Sequence, residues 1–523
     1  MRFQSTTAAL LLLGGVQAQT TLPPPPTETS SSETCAINLT PSYDVTIAKG
    51  WTAHLLARNL GFARSIKLDG RGGLLVVSAQ SGIVHLNVTD RASTCPYVIN
   101  NITVIEDERP LQLNHGIELS PSGRTLYASS RESVWAWDYD PSTASVSNRR
   151  EIITNMTNTD HVSRTLFLSP SHPDLLLVSR GSASNIDPLS IPLENGISQI
   201  RAFNISNLTS TSPPYSYPSQ GLLIGSGLRN SVGIAEHPIT GGVFSVENNI
   251  DQTTRLGTDI HNENPGEELN FHGFLNGSLP ENRHHGYPFC FPLYNRTDFP
   301  DLNTLTTGDQ FSLNQTAELN DETCAREYVP PRLTFKAHMA PLDIKFNSEG
   351  TRAYVSFHGS WNRDEPEGYK VAEVEWDAGT GQPVHSAKSL NAARDLLNTG
   401  DVHRCRPDGI FLRPVGLQVD GRGRVFVSND YGGEVWVLEQ TGDVEEESWE
   451  EVNYGGDDGN DDGNDDGEGN GGGNGGTGTD DEEPAETSNP AVKGAGTVRT
   501  EGWVVMGMTI VLSFVGGIFV IVA

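Results

Sequence analysis

The sequence predicts an all-β fold, a six-bladed β-propeller, and three observations predict it. A strand–turn–strand phrase recurs six times, amphipathic helical stretches are scarce, and the spacing of the copies leaves room for roughly four strands each. The copies read IKLDGRGGLLVVS from Ile66, IELSPSGRTLYAS from Ile117 and LFLSPSHPDLLLVS from Leu166, then IAEHPITGGVFSV from Ile234, IKFNSEGTRAYVS from Ile344 and LQVDGRGRVFVS from Leu417.

Each copy is a short alternating strand, a turn of Gly, Asp, Pro or Ser, and a second β-rich strand. That is a hairpin by period and by turn chemistry. Some copies run into a third strand, as in SVWAWDYD from Ser133 and EVWVLE from Glu434. Ile234 and Ile344 lie 110 residues apart, twice the early spacing, so Asp251 to Lys336 is expected to hold a long insertion on one face. Long ordered loops of this kind usually carry function.

The flanks follow in order. Residues 1–18 read as a secretory signal peptide: Arg2, the apolar stretch Ala8 to Val16, and Val16-Gln17-Ala18 as cleavage site. Residues 19–34 form a Pro/Ser/Thr-rich disordered lead-in, and 35–442 the propeller. Residues 443–502 form an acidic Gly/Asn/Asp-rich disordered stalk and spacer; Asp443 to Glu486 alone holds 18 acidic residues and no Lys or Arg. Residues 503–523 are an uncharged apolar tail behind small residues, the pattern of a GPI-anchor signal, with a single transmembrane helix as the alternative. This places the protein outside the cell, attached to the membrane only through a lipid. The net charge of −31 excludes nucleic-acid binding as a main role.

Sequons at Asn38, Asn87, Asn101, Asn155, Asn204, Asn207, Asn276, Asn295 and Asn314 fit export and glycosylation. Of the five cysteines, Cys35–Cys95 and Cys290–Cys324 are the expected disulfides, with Cys405 outside both and buried.

Equivalent blade edges converge on the propeller axis, so residues just before each first strand are expected around one channel mouth. These are Arg64; Gln112 and His115; Asp160, His161 and Arg164; Arg229 and Asn230; His338; and Arg413. Cations gathered in one pocket are costly without an anion, so the ring asks for a polyanionic ligand held by planar Arg–carboxylate pairing. Asp160-His161 is the sharpest pair, a proton acceptor with a carboxylate beside it.

Phrases along Phe62 to Leu438 carry a resemblance. They are DHVSRTLFLSP from Asp160, SRGSASN from Ser179, GLRNSVGIAEHP from Gly227, HGYPFCFP from His285, HMAPLDIKF from His338, HGSWNR from His358 and RPVGLQVDGRGRVFVSND from Arg413. In this order they resemble the soluble quinoprotein glucose/sorbosone dehydrogenase family, in its fungal pyranose dehydrogenase branch. The resemblance implies pyrroloquinoline quinone (PQQ) and calcium (Ca2+) as cofactors and the oxidation of a pyranose aldose or 2-keto aldose. It implies an external electron acceptor: a cytochrome, a small quinone or another oxidoreductase. It makes His161 the catalytic base with Asp160 its neighbour. Gln112, Arg229, Asn230, His338 and Arg413 become cofactor contacts, and the backbone carbonyls near Asn249 and Ile250 become calcium ligands. Phe411 stands where the family has a second Arg, and the family's cofactor lysine has no clear counterpart; His358, Trp361, Asn362 or Arg363 fill that space. The competing readings are a calcium-dependent propeller hydrolase or lactonase and a non-catalytic cell-surface binding propeller.

Overall fold

The computed structural model describes residues 34–35, 39–90, 97–107, 111–297, 299–302, 304–405 and 409–441. The expected signal peptide, nearly all of the lead-in, the stalk and the anchor signal lie outside these residues, as do Cys95 and Asn38. No helix among the described residues is long and apolar enough to cross a membrane.

Six sheets form the six blades. Blade 1 is Ala63–Leu68, Leu74–Ser78, Gly82–Asp90 and Tyr97–Asp107, edged by Thr34–Cys35. Blade 2 is Leu113–Leu119, Thr125–Ser130, Val134–Asp140 and Ser145–Thr154, edged by Tyr215–Ser216. Blade 3 is Leu166–Leu168, Leu175–Arg180, Gln199–Asn204 and Leu222–Ser226. Blade 4 is Ser231–Glu236, Gly242–Glu247, Glu267–Phe274 and Leu333–Phe335. Blade 5 is Pro341–Phe346, Arg352–Phe357, Lys370–Asp377 and Ala393–Thr399, edged by Val45–Ile47. Blade 6 is Pro414–Val419, Val425–Asn429 and Glu434–Gln440, and its fourth strand is Trp51–Ala57 from the other end of the domain.

The first strands pack against one another in ring order, blade 6 returning to blade 1. Pairing of Trp51 with Gln440 and of Ala57 with Val435 closes the ring and covers the outer edge of Glu434–Gln440. Between blades the cores are aliphatic and aromatic. Phe244 and Phe346 meet Trp376 edge-on, at 5.1 and 4.8 Å between ring centroids, where blades 4 and 5 pack.

Within a blade the first two strands are a hairpin, so the start of one lies beside the end of the other. Ser231 pairs with Glu247, Pro341 with Phe357 and Pro414 with Asn429. Both ends therefore open onto the same mouth of the axis.

The region expected as one insertion contains two of blade 4's own strands, Glu267–Phe274 and Leu333–Phe335. The stretch EELNFHGF lacks an apolar alternation because Glu267, Glu268, Asn270 and His272 are all buried polar residues. The true insertions are residues 248–266 and 275–332. The second holds the hairpin Cys290–Pro292 with Gln310–Ser312 and the helix Asp321–Glu327, capped by Asn320 Oδ1 accepting from Thr323 N. Cys290–Cys324 ties hairpin to helix. Fully buried Arg255 donates to both Asp321 carboxylate oxygens, at 2.8 and 2.7 Å, and lies 4.8 Å over the Phe299 ring. Cys405 is buried against the Val402–Arg404 turn, its Sγ facing Asp401 O and Thr399 Oγ1.

The disulfide closes a loop of 34 residues in sequence separation. Replacing both Cys290 and Cys324 with alanine is expected to remove about 2–4 kcal/mol of stability. Urea unfolding of the purified protein checks this; an unchanged midpoint would make the disulfide dispensable.

Candidate active site

A cavity of about 570 Å³ opens at the mouth where the blade hairpins end. Arg64, Asp160, His161, Arg229, Asn230, Asn249, His338 and Arg413 all line it, together with Asn185, Asn248, Asp251, Glu267, His358 and Trp361. Gln112 does not join them. It sits in a turn at φ +52°, and its side chain is exposed. Arg164 is fully buried but serves the backbone, donating to the carbonyls of Met156, His161 and Ser163. It pins the loop that carries His161 and is not a ligand-facing cation.

His161 stands in left-handed backbone at φ +40°, rare for a residue with a side chain and common where surrounding structure holds a functional group. Its Nδ1 lies 2.8 Å from Ser182 Oγ and 3.1 Å from Ser182 O. Burial, reinforced by the Arg229 charge, lowers its pKa to about 4. Asp160 does not reach the ring; its Oδ1 accepts the backbone N–H of His161 at 2.8 Å.

The cations of the ring are neutralised by the chain's own carboxylates, contrary to the expectation that they await an anionic ligand. Arg229 is almost wholly buried and already makes four hydrogen bonds within the chain: Nε to Asn185 O, Nη1 to Asn248 O, and Nη2 to Asn185 Oδ1 and Asp251 Oδ2, the last two at 2.8 Å. Its fork is engaged, leaving one N–H of Nη1 for a ligand. Asp251 also faces His338 Nδ1 at 3.3 Å, while His338 Nε2 donates to His261 O at 2.6 Å. Burial alone would raise the Asp251 carboxyl; His338 and Arg229 outweigh it and hold it below the ordinary carboxylate range.

The opposite wall is built the same way around Asp430. Arg64 Nη1 donates to Asp430 Oδ2 at 2.7 Å, and His358 Nε2 lies 3.0 Å from the same carboxylate. Arg413 Nη2 lies 3.0 Å from His358 Nδ1, and Arg64 Nη2 lies 3.2 Å from His115 Nδ1. An arginine can only donate, so His358 and His115 accept at Nδ1, and His358 carries its hydrogen on Nε2 toward Asp430. The structure thus supplies two carboxylates, Asp251 and Asp430, that make the cationic ring affordable in an apolar interior. Asp160 lines the same cavity as a third carboxylate, so the charges of Arg64, Arg229 and Arg413 are matched within the chain.

Asn249 lines the floor, and Ile250 packs into an apolar cluster with Ile260, Tyr287 and Phe291. Asn248 O is taken by Arg229 and Asp251 O by Asn185, but among the described residues no donor reaches the carbonyl of Asn249 or Ile250. Two unclaimed carbonyls suit a hard cation that prefers oxygen.

Beneath the floor Glu247, Glu267 and Glu268 are all buried. Glu267 accepts Asn249 N at 2.7 Å and Ala340 N at 3.0 Å. Glu268 accepts from the Asn249 and Asn270 side chains. Burial pushes Glu267 up to about 7 and Glu268 up to about 8, and raises Glu247 well above its ordinary value with Glu268 adding to the effect. A carboxyl raised on folding stabilises below its unfolded value near 4.5 and loses that contribution as pH rises through the folded value. Relative to wild type, Glu268→Gln is therefore expected to gain melting temperature as pH rises from 5 to 8, since the variant has no carboxyl to ionise there. Thermal melts of both proteins between pH 5 and 8 check it; identical slopes would contradict the assignment.

The family model described as TrAA12-like matches residues 45–441. A curated relative from Hypocrea jecorina (strain QM6a), named pyrroloquinoline quinone-dependent sugar dehydrogenase, is 46% identical over 418 residues, covering 79% of this chain and 94% of its own. Pyrroloquinoline quinone-dependent pyranose dehydrogenase from Coprinopsis cinerea is 36% identical over 413 residues, covering 76% of this chain; the match spans 55% of that protein, about half its length. Among solved structures, the calcium structure of the Trichoderma reesei family AA12 enzyme is 46% identical at TM-score 0.73, covering 77% of this chain and 99% of that one. The holo PQQ domain of the Coprinopsis cinerea pyranose dehydrogenase is 35% identical at TM-score 0.70, covering 77% and 98%.

Proposed function

The chain belongs to the TrAA12-like family and is an oxidoreductase, and on that premise we propose that it oxidises a sugar with pyrroloquinoline quinone and calcium in the axial cavity. The observation that carries the reading is the cavity itself. Five blades bring Arg64, His161, Arg229, His338, His358 and Arg413 to one pocket large enough for a tricyclic ligand.

The residues fit the cofactors. Arg64 and Arg413 would hold quinone carboxylates, Arg229 would offer its remaining N–H, and the Asn249 and Ile250 carbonyls would hold calcium. When bound, the quinone supplies a two-electron hydride acceptor and calcium a Lewis acid.

The chain's own chemistry centres on His161. Ser182 Oγ gives its one hydrogen to Ser184 O at 2.7 Å, so toward His161 it accepts; Ser182 O likewise only accepts. Nδ1 of His161 therefore carries the hydrogen and Nε2 keeps its lone pair. A neutral imidazole with a bare Nε2 lining the cavity takes the proton of a sugar hydroxyl. Trp361, more than half exposed on the cavity wall, offers an apolar face for a sugar ring.

We place the sugar among pyranose aldoses or 2-keto aldoses, with electrons leaving to an external acceptor. We also place the protein at the outer cell surface, exported, glycosylated and lipid-anchored. Asn87, Asn101, Asn155, Asn204, Asn207, Asn276 and Asn314 are exposed, which suits glycosylation; Asn295 is half-buried with its amide on Glu263.

The test is direct. PQQ and calcium added to the purified protein should shift the quinone absorbance, and a pyranose should then reduce a dye acceptor. A protein that leaves the spectrum unchanged, or binds PQQ and reduces no dye with any sugar, would refute the reading.

A further inference from the structure

Resting on the dehydrogenase reading, we infer that Ser182 is the positioning residue of the general base. It decides which ring nitrogen of His161 carries hydrogen and which way the ring faces. The sequence offered Asp160 for this task, but that carboxylate is spent on the His161 backbone N–H. Ser182, fully buried and 21 residues along the chain, takes the ring instead.

Ser182 is held on every side. Its N–H donates to Arg229 O at 2.8 Å, its carbonyl accepts from Asn158 Nδ2 at 3.1 Å, and its Oγ donates to Ser184 O. Asn158 is itself fixed by Arg180 Nε at 3.2 Å. The neighbouring Gly181 lets the peptide press against the imidazole: a Cβ there would lie 2.8 Å from His161 Cβ and 2.7 Å from Asn230 Oδ1. The same short segment thus positions the base and touches Asn230 of the cofactor wall.

A hydroxyl differs from a carboxylate in what it does to the base. It fixes the tautomer and the ring angle without a charge that would stabilise the imidazolium. The charged groups facing His161 are Asp160 through its backbone, Arg164 through its carbonyl, and Arg229 and Asp251 across the cavity.

Two variants separate this role from a structural one. Ser182→Ala should lower kcat about ten- to a hundredfold through misaligned attack geometry. PQQ affinity by absorbance titration, sugar KM and the apoprotein melting temperature should stay near wild type. Ser182→Asp should move the acid limb of kcat/KM to higher pH by about a unit or more, because a carboxylate at Nδ1 favours the protonated ring. Turnover within twofold of wild type in Ser182→Ala overturns the inference. So does a parallel fall of PQQ affinity and melting temperature, which marks a packing role, or an unmoved acid limb in a folded Ser182→Asp protein. A wild-type protein that binds no PQQ would instead overturn the dehydrogenase reading.

Discussion

Replacing His161 with glutamine is expected to lower kcat by about 10²–10⁴-fold with PQQ still bound. Glutamine matches the ring in reach and keeps a donor for Ser182, so the loop that Arg164 pins through the His161 carbonyl has no reason to move. What disappears is the lone pair on Nε2. Neither of the cavity's other histidines replaces it. His358 commits both nitrogens, to Asp430 and Arg413, and His338 commits both, to His261 O and Asp251. Asp160 would be a weak substitute, since its carboxylate is engaged by a backbone N–H. The measurement is dye-coupled turnover at saturating quinone, alongside an absorbance titration showing equal PQQ content. With a folded-state pKa near 4, wild-type His161 is unprotonated above about pH 5, so activity should fall only below that range. Wild-type turnover in the glutamine variant would remove His161 from the chemistry.

Much of this was legible in the sequence because a propeller turns sequence position into spatial position. His161, Arg229, Asn230, His338 and Arg413, just ahead of first strands, and Arg64, at the start of one, do reach one cavity. Gln112 follows the same sequence rule and fails: its side chain leaves toward solvent. Ser182, Asn248 and Asp430, which went unread, obey a second rule that the hairpin geometry also dictates, and Asn249 and His358 obey it with them. The end of a blade's second strand lies beside the start of its first, so residues following second strands meet at the same mouth. Ser182 follows Leu175–Arg180, Asn248 and Asn249 follow Gly242–Glu247, His358 follows Arg352–Phe357, and Asp430 follows Val425–Asn429. Applied to the sequence, that rule would have found Asp430 and Ser182. It would not have found Asn185 or Asp251 as partners of Arg229, since both lie in loops whose course no repeat dictates.

Arg229→Ala is expected to cost both stability and cofactor affinity, and the two losses come from different atoms. The guanidinium is nearly excluded from water and answers Asp251, Asn185 and the Asn248 carbonyl. Its removal leaves the Asp251 carboxylate in the interior with His338 alone, and breaking one side of a buried pair typically costs about 3–5 kcal/mol. Cofactor affinity should fall about ten- to a hundredfold, the worth of one charged hydrogen bond to a ligand together with its held geometry. A second substitution tells the contributions apart. In Arg229→Ala with Asp251→Asn the stranded charge is gone, so the melting temperature should recover while PQQ affinity stays low. If the double variant regains affinity together with stability, Arg229 serves only to balance Asp251. If neither recovers, the loss lies in the Asn185 loop that the arginine anchors, and the cofactor contact assigned to Arg229 falls.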